Sequence, residues 1–196
     1  MFIELTDHLR CPTDHAESYL VLLPDRLEGR SVRSGQLGCP VCGKTFELVD
    51  GVFNTGDGAA PDSHAASSLN AEGLTALAGL NGPGGYLVIA GTLAELWEEL
   101  SRLMPGVGLV AVNPPLEVRD AAQLSVLRSG RIPLKSRSMR GVVLSRPYGG
   151  DENWVREAAR VVLPGLRIVG EGPDPSPEVV ELLASAGGVW VGSGRR

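Results

Sequence analysis

Three cysteines are all this chain has, and their placement constrains its front end more than any other feature. Cys39-Pro40-Val41-Cys42-Gly43 is a C-x2-C knuckle with a glycine where the backbone has to turn, and Cys11-Pro12-Thr13-Asp14-His15 stands upstream. A structural metal site takes four ligands in a tetrahedron, usually thiolates and imidazoles. The knuckle supplies two ligands and Cys11 a third. The fourth lies between three residues: His15, which gives C-x3-H and is the commoner partner of thiolates, then Asp14, at the place of a second C-x2-C, then His8. An odd cysteine count with two in one knuckle fits a metal better than a disulfide framework. Zinc is the ion such a set suits. A structural zinc is worth on the order of 10 kcal/mol, enough to fold a small module.

The 43% hydrophobic content is ordinary for a globular protein. No run approaches the ~18 apolar residues of a membrane span, so no membrane partner is expected. The start, Met1-Phe2-Ile3-Glu4-Leu5-Thr6-Asp7, has acids where a signal peptide carries positive charge, which predicts a cytoplasmic protein. A net charge of −5 argues against nucleic-acid binding by the whole surface.

Three units follow from the pattern. Residues 1–55 hold the cysteines and candidate strands at 18–23, 31–37 and 45–49. Residues 56–68 are small, polar and Gly/Pro-punctuated, a linker by composition. Residues 69–196 alternate helices with buried strands. Helices are expected at 69–80, from Thr92 to Leu103 with a Thr92/Glu95 capping box, from an Asp151 cap to Val162, and at 176–186 behind Ser176-Pro177. Strands are expected at 86–90, 109–112, 124–127, 142–145, 166–169 and 189–191. Doubly buried strands separated by helices imply a parallel sheet, so the fold class is α/β: a small metal-binding β module followed by a reduced parallel sheet. The last strand, 189–191, is expected to leave a sheet edge open to a second copy of the chain.

Two stretches carry a resemblance. Leu9-Arg10-Cys11-Pro12, then Leu37 to Phe46, then Val49-Asp50-Gly51-Val52 resemble zinc ribbons attached to methyltransferases. Such ribbons begin bacterial ribosomal RNA guanine methyltransferases and form the small activator subunit of tRNA and release-factor methyltransferases. Asp14-His15 departs from that pattern where the first knuckle's second cysteine would stand. Ile132-Pro133-Leu134, then Ser138 to Ser145, then Glu157 to Val169 are similar to the fourth- and fifth-strand regions of class I S-adenosylmethionine-dependent methyltransferases. That resemblance implies a Rossmann-like sheet with S-adenosylmethionine as the family's cofactor.

It also implies where the cofactor would lie. The family's first strand runs into a GxGxG-type loop, because the cofactor lies against bare backbone there. Here the strand ends Ile89-Ala90-Gly91-Thr92, and one glycine, Gly91, remains. The second strand should end in an acid that holds the ribose hydroxyls, and here it ends at Asn113. Gly91 and Asn113 are therefore the candidate cofactor contacts, and no catalytic residue is assigned. Asn113-Pro114-Pro115 looks like part of the NPPY tetrapeptide of amino-methyltransferases, but it follows the wrong strand and lacks the aromatic.

From Ala121 to Gly150 there is no acid, yet Arg128, Arg131, Lys135, Arg137, Arg140 and Arg146 are present. Such a stretch can steer RNA phosphate, or it can neutralise the acidic remainder of the same molecule. The expectation is a zinc-binding methyltransferase-fold pseudoenzyme that binds a protein partner, or regulates one, in RNA modification or translation. The alternative is an active S-adenosylmethionine-dependent methyltransferase whose ribbon recognises RNA or protein.

Overall fold

Short runs rich in valine, leucine, isoleucine and alanine, buried on both faces, form the centre of one long sheet. They are β5 (Tyr86–Ala90), β6 (Gly108–Val112), β7 (Leu124–Arg128), β8 (Gly141–Leu144) and β9 (Arg167–Glu171). The computed structural model describes residues 1–58, 67 and 69–194, so most of the expected 56–68 linker lies outside the described residues. In front of these strands come β1 (Val21–Glu28), β2 (Ser31–Gly38), β3 (Thr45–Val49) and β4 (Val52–Asn54), and behind them β10 (Val180–Ala186) and β11 (Val189–Gly194). The order across the sheet is β1-β2-β3-β4-β7-β6-β5-β8-β9-β11-β10. The strands from β4 through β9 pair in parallel, and the rest pair antiparallel.

The cysteine-bearing segment is thus joined to the α/β segment strand to strand. Val52, Phe53 and Asn54 of β4 lie beside Val126, Leu127 and Arg128 of β7. The short helix α1 (Ile3–Thr6) and the residues after it run under the sheet, where Leu9 bridges Leu134.

Helices cover both faces. Asn70 caps α2 (Ala71–Ala78) by accepting from the Gly73 amide at 2.9 Å, and Gly79 ends it with φ +62°. Asp151 caps α4 (Glu152–Val161) through the Asn153 and Trp154 amides. On α4, Val155, Ala158 and Val161 point into the core formed with Val88, Val110 and Val142. The opposite face packs Leu87, Ile89 and Leu109 against Leu74 of α2 and Leu100 of α3 (Trp97–Leu103).

Three local expectations are corrected. The helix expected from Thr92 starts as a 3-10 turn, Thr92–Leu96, closed by the Ala94 amide on the Gly91 carbonyl at 3.2 Å. Regular α-helix begins only at Trp97. The helix expected at 176–186 is the strand β10. Gly187 and Gly188, at φ +60° and +77°, make a two-residue hairpin that sets Ala186 opposite Val189. A Gly-Gly pair between β-capable runs is a strong hairpin signal and outweighs the Ser-Pro start. In consequence β11 is interior, between β9 and β10, and the sheet edge at this end is β10.

Candidate functional site

The metal candidates come from two turns. Cys11 is held by its amide on the Ser18 carbonyl at 2.9 Å. At the end of β2 the Cys39 amide donates to the Lys44 carbonyl and the Gly43 amide returns to the Cys39 carbonyl, closing the knuckle. Gly43 turns with φ +69°, a conformation a side chain disfavours. These turns gather Cys11, His15, Cys39 and Cys42, whose ligand atoms all lie within 4.8 Å of one another.

Two of the separations match tetrahedral coordination. Sulfurs about 2.3 Å from a central zinc stand about 3.8 Å apart, and a nitrogen at about 2.0 Å stands slightly closer to them. Cys11 Sγ lies 3.8 Å from Cys42 Sγ, and His15 Nε2 lies 3.5 Å from Cys39 Sγ. His15 Nδ1 sits 2.6 Å from the Ala16 carbonyl, so it carries the proton and Nε2 presents its lone pair to the sulfurs. Burial pushes the Cys39 thiol up, but the Cys42 and Val41 amides outweigh it and bring it down to about 6. That favours the thiolate a metal needs. The other two candidates for the fourth ligand lie elsewhere. Asp14 is 91% exposed and pairs with Arg131 at 3.3 Å, while His8 packs edge-on against Tyr86 with centroids 5.5 Å apart.

The second candidate site is at the carboxyl end of the sheet. Reading β7-β6-β5-β8-β9 across, the strand order reverses between β5 and β8. In open α/β sheets the ligand crevice lies at that reversal, beyond the strands' carboxyl ends. Gly91 stands there with φ +84° and ψ −146°. Ser145 donates from Oγ to the Ala90 carbonyl at 2.7 Å, tying β8 to β5 across the reversal. A Cβ on Gly91 would lie 2.2 Å from Ser145 Oγ and 2.9 Å from the Tyr148 ring.

Tyr148 is 8% exposed and meets Trp154 with ring centroids 4.4 Å apart. Gly149, next in the chain, lies against the Glu171 backbone, and its carbonyl accepts from Trp190 Nε1 at 3.1 Å. Asn113 is 2% exposed, with φ +50°. Its Nδ2 donates to the Ser129 carbonyl at 2.7 Å and its Oδ1 accepts from the Ser129 amide at 2.9 Å. Its amide therefore fastens the end of β6 to the end of β7. Glu171 is also buried here, with Oε1 accepting from Ser67 Oγ at 2.5 Å.

Sequence reasoning missed Ser145 and Tyr148. The signal was present: Ser145-Arg146-Pro147-Tyr148 follows β8, with a proline third and an aromatic fourth as in the tetrapeptide sought at Asn113.

The six cations of the acid-free stretch are not brought together. Arg140 precedes β8 and donates to the carbonyls of Asn81, Gly82, Pro83 and Gly84. Arg146 follows β8 and lies against Gly188. Arg128 donates to the Pro114 carbonyl, Arg131 meets Asp14, and Lys135 Nζ sits 4.8 Å over the Tyr19 ring. The Arg137 backbone, at φ +51°, donates its amide to the Arg160 carbonyl. Among the described residues no helix is long and apolar enough to cross a membrane.

No family model matches the chain, and no curated protein does. Solved structures similar to it include methyltransferases. A complex between the Haloferax volcanii Trm112 methyltransferase activator and a putative methyltransferase is 13% identical, with 64% of this chain and 90% of that one covered and a TM-score of 0.49. The antibiotic-resistance methyltransferase Kmr is 13% identical over 68% of this chain and 96% of its own, at TM-score 0.45. Geranyl diphosphate C-methyltransferase from Streptomyces coelicolor A3(2) is 17% identical at TM-score 0.44, and the match covers 62% of this chain and 56% of that enzyme.

Proposed function

We propose that this chain is a zinc-binding methyltransferase-fold protein that acts by binding a partner rather than by methyl transfer. One observation carries the reading. The place beside Gly91, where the family's cofactor lies against bare backbone, is taken by the Ser145 hydroxyl and the Tyr148 ring. The residues present do not fit S-adenosylmethionine there. Gly91 supplies the only bare backbone at the strand end, and it is covered. Asn113, the candidate ribose contact, spends both ends of its amide on Ser129.

The donor set near the front does fit zinc. Three thiols and one imidazole gather within 4.8 Å of one another, two of the pairs at tetrahedral separations, with the imidazole tautomer fixed by Ala16. Cys11, His15, Cys39 and Cys42 would hold the ion, which supplies cross-linking of the two turns and no open position for chemistry. The ribbon resembles a methyltransferase activator subunit, yet here it is in one chain with an α/β sheet and lies on that sheet through β4 and β7. On this reading its first task is internal, bracing the sheet that it adjoins. The partner is a protein of RNA modification or translation, following the resemblance.

Titration calorimetry of zinc-loaded protein with S-adenosylmethionine tests the reading. No saturable heat is expected at micromolar cofactor. Binding at micromolar strength or better would overturn it in favour of an active methyltransferase.

A further inference from the structure

A cavity of about 400 Å³ lies between α4 and the turn that follows β7. Its lining is Gly130, Arg131, Asn153, Trp154, Arg156 and Glu157. That volume falls in the range of small-molecule sites, roughly 300–1,000 Å³. The chemistry of its walls is specific: two guanidiniums, one aromatic ring, one side-chain amide and one carboxylate already committed elsewhere.

Glu157 is that carboxylate. It is held by Arg160 in a two-point pairing, 2.9 Å from Nε to Oε1 and 2.7 Å from Nη2 to Oε2. Arg160 is itself fixed by the Leu134 and Ile132 carbonyls at 2.7 and 2.8 Å. Arg10 approaches Glu157 at 3.9 Å and Glu17 at 3.7 Å, and its Nε is buried with no hydrogen-bond partner among the described residues. Behind the cavity, then, two guanidiniums face two carboxylates and cancel them. Asp57 is occupied too, accepting from the Thr55 hydroxyl and, at 3.0 Å, from the Gly130 amide.

Arg131 and Arg156 at the walls are differently placed. Arg131 pairs with Asp14, whose side chain is 91% exposed, and Arg156 pairs with Glu152, which is 60% exposed. Exposed pairs of this kind are worth about 0–1 kcal/mol, so either carboxylate can swing into water at little cost. A phosphate arriving in their place makes shorter, charge-assisted bonds, and guanidinium is the side chain best matched to it. The Trp154 ring is half-buried and is braced by Tyr148. It thus forms a fixed apolar wall for a flat heterocycle, and base stacking of this kind contributes about 1–3 kcal/mol. Asn153 adds an amide that can both donate and accept.

We propose that this cavity binds a nucleotide, its phosphate on Arg131 and Arg156 and its base on Trp154. The shared chemistry is a nucleoside 5′-phosphate, whether free or as the 5′ end of an RNA. The proposal goes beyond the function argued above, and it uses Tyr148 only as the brace behind Trp154.

The test is calorimetry and tryptophan fluorescence on the zinc-loaded full chain. The probes are 5′-AMP, 5′-GMP, adenosine, inorganic phosphate and a 5′-phosphorylated RNA tetranucleotide. At least one mononucleotide is expected to bind and quench fluorescence. Adenosine and phosphate alone should each bind about tenfold more weakly or worse, as loss of one stacking or charge contact implies. Arg131→Gln and Arg156→Gln should each weaken mononucleotide binding about tenfold. Both are surface positions, so unchanged circular dichroism establishes that those variants fold. Tighter binding of the tetranucleotide than of the mononucleotide assigns the site to RNA ends, and equal binding assigns it to free nucleotide. The proposal is overturned if no nucleotide binds at millimolar concentration, if both arginine variants bind as the parent does, or if phosphate alone matches the mononucleotides. Adenosine matching AMP overturns it as well, because the two arginines would then contribute nothing.

Discussion

Replacing Gly91 by alanine separates the two roles a glycine at the end of β5 could have. Its φ of +84° and ψ of −146° lie in a region that is essentially glycine's alone, costing another residue about 1–3 kcal/mol. The new methyl would stand 2.2 Å from Ser145 Oγ and 2.9–3.0 Å from two Tyr148 ring carbons. Ser145 would have to rotate and give up its bond to the Ala90 carbonyl, and Tyr148 cannot retreat, because Trp154 lies against it. Overpacking of this kind costs about 1–3 kcal/mol. The two effects together give a loss of roughly 2–6 kcal/mol. Natural domains have only about 5–15 kcal/mol to lose. Urea unfolding followed by circular dichroism reads the change as a fall in midpoint at constant slope. Gly29→Ala is the comparator: φ there is +59° with nothing within 4 Å of a Cβ, so it carries backbone strain alone, about 1–2 kcal/mol. If Gly91→Ala costs no more than Gly29→Ala, the packing of Ser145 and Tyr148 on Gly91 is not what the reading takes it to be. The glycine would then be kept for a ligand.

Asn113→Asp installs the acid found at this strand end in class I methyltransferases, which the chain resembles, yet it should destabilise by about 1–3 kcal/mol, since Nδ2 no longer donates to the buried Ser129 carbonyl. Urea midpoints check this, and calorimetry should still show no gain in S-adenosylmethionine binding. Burial raises the Glu17 carboxyl, but the Ser136 hydroxyl and amide, with Arg10 and Arg160, bring it below its ordinary 4.5. Its contribution is therefore present above pH 4.5 and is lost as pH falls through the folded value, so Glu17→Gln should flatten the acid limb of a stability–pH profile. Metal analysis should give about one zinc per chain, with His15→Ala weakening retention more than His8→Ala or Asp14→Ala. Chelation should lower the unfolding temperature of the sheet as a whole, and hydrogen exchange in β5 and β8 that is indifferent to chelator would refute that.

The parallel core was legible because the central strands are short and mostly apolar, the clearest of them, Tyr86–Ala90, being bounded by Gly85 and Gly91. The caps at Asn113 and Ser145 were not, because a side chain that fastens one strand end to the next leaves no local pattern. Asn113 meets Ser129, 16 residues on, and Ser145 meets Ala90, 55 residues back. The helix expected at 176–186 failed for a different reason. Val180 to Ala186 is compatible with either structure, and the decision rests on Gly187-Gly188 and on β11 offering a partner in register. The acid-free stretch likewise suggested a patch, since charge spacing along a chain does not say which end of a strand each cation reaches.

What sequence could least reveal is how the front segment enters the core. The passage from β7 to β8, residues 129–140, has no helix to cover the sheet face. That face is closed by Leu5, Leu9 and Leu20, which belong to one cluster with Val88 and Val110. Cys11 and Cys39 are members of the same cluster, so two of the four candidate ligands are core residues of the α/β sheet. Arg33 of β2 reaches Asp120, in the connection before β7, at 3.0 Å, and the Phe2 amide donates to Ser125 Oγ of β7 at 3.0 Å. A cut between the front segment and the rest would expose leucines on both sides and leave Asp120 buried beside a missing cation, a loss of about 3–5 kcal/mol for that group alone. Zinc binding to small structural sites is worth about 10–16 kcal/mol, as much as a whole domain's stability. On the proposed reading, an ion held by Cys11 and Cys39 would act on turns that share their core with β5 and β6. A metal held there would, on that reading, brace the segment whose leucines close this face in place of a helix.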